Sequence, residues 1–302
     1  MNHHHGIGGD APDGLHRAFA IGIGLNLAFA ATEWVFGVVS HSSALLADAA
    51  HNVSDVLGLG LAWGASAVAR RAASIRHTYG LRRATTLAAL GNSALLLAAV
   101  GAVIWDAIGR LRAPVDVQGT TMIAVAAAGV VVNAVSALLF WRGRRGDLNV
   151  RGAFLHLAAD AAISAGVVVA GAVLWRTGWT WLDPVASLGI SVVILVGTWG
   201  LFREALHLTL DGVPKGVELE RVRAFLGALP GVESVHDVHV WAMSTTEVAL
   251  TAHLVMPWRD RPPAFLAGLE HDLDERFGIA HATVQLEPSG AAACARDAGC
   301  VT

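Results

Sequence analysis

Six long apolar stretches occupy the first two thirds of the chain: residues 15–39, 43–69, 84–109, 117–141, 152–175 and 184–206. Each is long enough for a helix to cross a bilayer, which takes about 20 mostly apolar residues. A few polar residues interrupt them. Asn26 and Glu33 fall in the first stretch, Asp48, His51 and Asp55 in the second, Asn133 in the fourth, and His156 and Asp160 in the fifth. From about residue 211 the pattern becomes that of a domain with a polar surface. Glu218–Leu229 predicts an amphipathic helix and Pro230-Gly231 a turn. Val232–Met243 and Glu247–Met256 predict two strands joined by a Ser-Thr-Thr turn, Pro262–Phe277 a helix, and Ala282–Glu287 a strand. The order α-β-β-α-β suits a small ferredoxin-like layer of sheet and helices. The expected architecture is an α-helical membrane domain of six transmembrane helices (residues 15–210) followed by an α+β domain (211–288). Residues 1–14 and 289–302 read as tails.

Composition supports this class. Hydrophobic residues make up 54% of the 302 and charged residues 15%, against about 25% charged in soluble domains. A net charge of −3 gives no reason to expect nucleic acid. Both cysteines, Cys294 and Cys300, lie near the end of the chain, which argues against a disulfide scaffold. The start is polar and the first apolar run is long enough to span, so no cleavable signal peptide is expected. The arginines set the orientation. Arg70, Arg71, Arg76, Arg82 and Arg83 follow the second stretch, and Arg142, Arg144, Arg145 and Arg151 follow the fourth. The other loops hold few. The positive-inside rule makes the two rich loops cytoplasmic, and six spans then place both termini in the cytoplasm.

The chemistry lies in two pairs. His51 and Asp55, and His156 and Asp160, are each four residues apart, so each pair shares one helix face. An ionisable group in a membrane span costs about 2.5–3.5 kcal/mol on insertion scales. A single histidine there would fit a buried network that locks helices together. Two His-x-x-x-Asp pairs point instead to metal or proton handling. Together they offer two imidazoles and two carboxylates, a set suited to tetrahedral zinc. Metal binding needs neutral histidine and ionised aspartate, so protons compete for the site. Histidine at its ordinary pKa of about 6.5 titrates near physiological pH. Such a site suits exchange of a metal ion for protons.

Other residues carry weaker signals. Asp48 fits a proton relay or a helix-packing group. Asn26 and Asn133 fit interhelical hydrogen bonding better than ligation. The runs Ala126–Gly129 and Ala161–Gly166 fit close helix approach. His236, Asp237, His239, His253, His271, His281 and Glu287 cluster in the C-terminal part, where a second metal site is one reading. Strand alternation puts His236 and His239 on opposite faces unless the strand is irregular. His3–His5, with Cys294 and Cys300, fit either a metal-capture tail or a solvated one.

Longer stretches carry a family resemblance. Ser43 to Asp55 resembles the second-span signature of the cation diffusion facilitators, and Asn149 to Asp160 their fifth-span signature. Arg76–Gly80, Asp183–Ser187 and Gly231–Trp241 are similar to further stretches of that family, in the same order. The resemblance covers residues 15 to 288. It implies a homodimeric antiporter in a bacterial inner membrane, moving Zn2+ out of the cytoplasm against protons by alternating access. Cd2+, Co2+ and Ni2+ are further candidate substrates. It places the transport site on His51, Asp55, His156 and Asp160. The cytoplasmic domain would dimerise and sense zinc, with His236, His253 and Glu287 at family ligand positions. Gln285 stands where some members have a further histidine. In the loop after the second span only His77 remains of a ligand set, beside Ser74 and Leu81, so no strong site is expected there. Thr85 stands where the family often has an acid.

Two other function classes remain at this stage. An intramembrane metal-dependent hydrolase would need a metal set with an open position and a general base, but the His-Glu-x-x-His pattern is absent and the four-ligand set leaves no position for water. A membrane-embedded sensor that binds metal without moving it would use the same ligands.

Overall fold

The computed structural model of the chain describes residues 13–141, 148–257 and 264–289. The His3–His5 triplet, Cys294, Cys300 and Arg142–Arg145 lie outside the described residues. Six helices come first: α1 (Asp13–Val39), α2 (Ser43–Ala69), α3 (Ala84–Arg112), α4 (Gly119–Phe140), α5 (Leu148–Thr177) and α6 (Leu182–Thr209). They match the six apolar stretches to within about four residues at each end. Among the described residues, four helices, α3 to α6, are long and apolar enough to cross a membrane. The second helix, α2, is equally long but carries Asp48, His51, Asn52 and Asp55.

Two compact units form. Among the described residues, the first is built from 13–60, 92–141 and 148–200, the second from 61–91, 201–257 and 264–289. In the first unit the usual polarity is inverted. Glu33, Asp48, Asn133 and Asp160 are buried, while Trp105 is 82% and Val196 71% exposed. An apolar outside around a polar inside is what a lipid environment favours. The closest packing joins α4 to α5. A Cβ on Gly129 would stand 2.6 Å from Phe29 Cζ and 3.1 Å from Ser164 Oγ, and one on Gly171 would stand 3.0 Å from Ile123 Cγ1. Small residues let these backbones approach. Gly166, from the same kind of run, has open space around it and plays no such part.

Asp183 sits in the first turn of α6, which opens at Leu182. Its carboxylate accepts from Ser42 Oγ (2.5 Å), Ser43 N (2.7 Å) and Ser43 Oγ (2.7 Å). A buried carboxylate from one helix thus satisfies the free N–H groups and the positive end of another, α2. This fixes the start of the helix that bears His51 and Asp55.

In the second unit, α7 (Leu219–Gly227) precedes β1 (Ser234–Ala242) and β2 (Val248–Val255); α8 (Phe265–Phe277) and β3 (His281–Glu287) follow. The sheet order is β1-β2-β3, with β1 and β2 antiparallel and β2 and β3 parallel. The helix α8 makes the crossover that a parallel pair requires. It ends at Gly278, whose φ of 67° and N–H to Asp274 O close the last turn. Leu250, Ala252 and Leu254 on β2 face a core shared with Val222, Leu226, Leu269 and Leu273. Thr251, His253 and Val255 alternate onto the other face. The segment between α2 and α3 belongs to this unit. Arg82 pairs with Glu247 at 2.9 Å and Arg83 with Asp211. Thr85 Oγ1 accepts the backbone N–H of Thr245 at 3.1 Å, which gives this hydroxyl a structural role.

Candidate metal centres

The i, i+4 spacing places His51 with Asp55 on α2, and His156 with Asp160 on α5. The fold brings both pairs to one point in the first unit. His51 Nε2 lies 3.7 Å from Asp55 Oδ2 and 3.5 Å from Asp160 Oδ1. His156 Nε2 lies 3.0 Å from Asp55 Oδ2 and 3.6 Å from Asp160 Oδ2. The two rings are edge-on, 6.0 Å between centroids. Zinc–ligand bonds of 2.0–2.2 Å imply ligand-to-ligand edges of about 3.3–3.6 Å in a tetrahedron. The observed spacings bracket that range. His51, His156 and Asp160 hold ligand atoms within 4.8 Å of one another, and Asp55 joins them through its two histidine contacts. Asp160 is the anchor, its side chain only 4% exposed against 48% for His156.

Asp48 Oδ2 accepts from Ser164 Oγ at 3.0 Å, so it links α2 to α5 one turn away from the four residues. Asn133 is fully buried on α4 with neither amide atom hydrogen-bonded among the described residues. Asn26 is half-buried on α1. His77 sits in a turn, its N–H bonded to Ser74 O, and among the described residues it joins neither metal-ligand cluster. The partner Ser164 carried no signal in the sequence, since a serine in a run of small residues reads as packing.

The second cluster is on the outer face of the sheet. His236 faces His253 across β1 and β2, but His239 faces Thr251, so the register slips between them. Asp237 is the extra residue, held at φ 51°. This β-bulge changes the expected alternation: both histidines emerge on the same face, because one inserted residue reverses the phase. His236 Nε2 is 3.3 Å from Glu287 Oε2, and His253 Nδ1 is 3.0 Å from Glu287 Oε1. These three hold ligand atoms within 4.8 Å of one another. Gln285 donates to Glu287 Oε1 at 2.9 Å and so braces the carboxylate. Beside them His239 Nε2 donates to Asp237 Oδ1 at 2.9 Å, and Asp237 Oδ2 is 3.6 Å from His253 Nε2. The hydrogen bond from His239, with the charges of His239, His253 and His236, holds the Asp237 carboxyl below its usual range.

Comparison with known proteins places the whole chain. Residues 19–208 match the cation efflux transmembrane domain and residues 214–289 the cation efflux protein cytoplasmic domain. The chain belongs to the cation efflux family. It is 36% identical over 279 residues to the metal cation efflux system protein CzcD of Cupriavidus metallidurans, covering 92% of this chain and 88% of that protein. It is 37% identical over 278 residues to the zinc transporter ZitB of Escherichia coli, covering 91% and 88%. It is 31% identical over 260 residues to the cadmium, cobalt and zinc/H(+)-K(+) antiporter of Bacillus subtilis, covering 84% and 83%. This cation-efflux chain therefore combines a helical membrane domain with a cytoplasmic domain built on a small sheet. Its named relatives are transporters and efflux proteins.

Proposed function

We propose that this protein exports Zn2+ from the cytoplasm of a bacterium in exchange for protons. Transport proceeds by alternating access at His51, Asp55, His156 and Asp160. What carries the reading is the convergence of two His-Asp pairs, from α2 and α5, at spacings near a tetrahedral edge. Two carboxylates balance the charge of a divalent ion, and two neutral imidazoles complete a nitrogen–oxygen set. Protonation of the imidazoles or carboxylates expels the ion, which couples the two fluxes. Cd2+, Co2+ and Ni2+ fit the same donors, and geometry rather than donor type would rank them.

The six long helices are read as six spans of an inner-membrane protein with both termini in the cytoplasm. The cytoplasmic domain is read as a ferredoxin-like layer through which two copies dimerise. Its cluster of His236, His253 and Glu287 would bind a regulatory zinc ion, with Asp237 and His239 at its margin. The decisive experiment is zinc flux into proteoliposomes under an imposed pH gradient, with a metal dye and a pH dye read together. Coupled fluxes that vanish in Asp160→Ala support the exchange and its site. Zinc binding without flux under any gradient replaces it with the sensor reading.

A further inference from the structure

Two more carboxyl groups lie in the interior of the first unit, and neither is a proposed metal ligand. Glu33 on α1 and Asp48 on α2 are both fully buried. Each has one oxygen satisfied by a neutral donor. Asn52 Nδ2 donates to Glu33 Oε2 at 3.1 Å, and Ser164 Oγ donates to Asp48 Oδ2 at 3.0 Å. The other two oxygens, Glu33 Oε1 and Asp48 Oδ1, are buried and receive no hydrogen bond from any N–H or hydroxyl among the described residues. Asn52 is one turn after Asp48 on α2, so Glu33, held by Asn52, lies beside the helix face that carries Asp48. Two ionised carboxylates side by side in an apolar interior repel and leave both oxygens unsatisfied. One proton between them removes the repulsion and satisfies both oxygens.

We propose that Glu33 and Asp48 share one proton and form a proton-binding site separate from the metal ligands, which releases that proton when zinc binds. The proposal rests on the exchange reading above. Its position supports coupling. Asp48 is one turn before His51 on α2, Asn52 follows His51 directly, and Ser164 is one turn after Asp160 on α5. The titratable groups one turn away on these two helices are His51 on α2 and Asp160 on α5. The neighbouring helix α4 has no titratable residue between Gly119 and Phe140. Charge counting gives the direction. With neutral histidines, Asp55, Asp160 and the singly protonated pair carry three negative charges. Zinc adds two positive ones. The pair then loses its proton to solvent and the region is still less negative than before. Ejecting zinc reverses the balance and the proton returns.

The test uses the purified full-length protein. Infrared difference spectra on zinc addition read the C=O stretch of a protonated carboxyl group, and a weakly buffered pH indicator reads protons released per zinc bound. Wild type is expected to lose a protonated-carboxyl band as zinc binds. Glu33→Gln and Asp48→Asn should each still bind zinc, lack that band, and release one proton fewer per zinc. A wild-type protein with no such band when zinc-free overturns the proposal, and that outcome depends on no variant folding. So does a band or a proton count unchanged in both variants. Failure of the exchange reading looks different: zinc binds and the band is lost, yet liposomes show no zinc flux.

Discussion

The two histidine-carboxylate clusters are built from the same residue types on opposite kinds of scaffold. On α2 and α5 the partners are four residues apart, and the helix period alone puts them on one face. On the sheet, His236 and His239 are three apart, and a regular strand would send them to opposite faces. The bulge at Asp237 reverses that. The helical cluster runs from Asp160, almost fully buried, to His156, half exposed, and its contacts run between two helices. The sheet cluster is evenly part-buried, and its contacts run across neighbouring strands. Four protein donors fill a tetrahedral set and specify an ion by its geometry, whereas three leave a position open to water. We therefore expect the first to choose the ion and the second to report it.

The sharpest way to break this division is at Asp160. Asp160→Ala leaves one carboxylate and opens the tightest corner of the site, and zinc flux is expected to fall to background in proteoliposomes. Normal transport by this variant would remove the intramembrane site. A softer change is His51→Asp, which keeps four ligands and adds a third carboxylate. Zinc flux should persist and cadmium flux should appear, measured side by side in the same vesicles. Unaltered selectivity would mean that the choice of ion is made elsewhere.

Much of this was legible in the sequence for an identifiable reason. The helices follow from apolar runs, and the boundary at Ser43 or Ala84 follows from where those runs begin. His51, Asp55, His156 and Asp160 come together because helical spacing survives small changes in length. The capping of α2 by Asp183 was not legible, because an acid at the start of one helix does not say which helix its carboxylate will cap. Asp237 was beyond strand periodicity, since one extra residue inverts every later side chain. Residues such as Asp and Asn tolerate a left-handed backbone better than most, but many do so in ordinary turns. Glu33 was legible only as an acid in an apolar run, and the fold is what shows that Asn52 donates to it.

The bulge gives a smaller effect that still separates the clusters. Asp237→Gly removes the carboxylate and suits the left-handed backbone better, since that conformation costs a non-glycine residue about 1–2 kcal/mol. The bulge and the strand pairing should therefore stay. Zinc affinity of the cytoplasmic domain should weaken severalfold by calorimetry, while transport selectivity stays as in wild type. A change in which ion is transported would join the two clusters functionally and contradict the division between choosing and reporting.

The smallest effect concerns the hydrogen bond from His239 to Asp237. Its loss in His239→Ala removes the first cause that holds the Asp237 carboxyl low, leaving only the weaker influence of His253 and His236. The carboxyl should titrate closer to the usual aspartate value of about 3.9, read from carboxyl carbon NMR shifts of the metal-free protein. The sign follows from linkage. A carboxyl held low in the folded protein adds stability above the ordinary carboxylate pKa, and that contribution fades as pH falls through the lowered value. The variant should thus lose a little stability at neutral pH and nothing at strongly acidic pH. Because Asp237 is part-exposed, solvent screens the interaction and the loss stays small. If Asp237 titrates the same with and without His239, the bulge orients these two side chains without coupling their charges. The sheet cluster would then reduce to His236, His253 and Glu287.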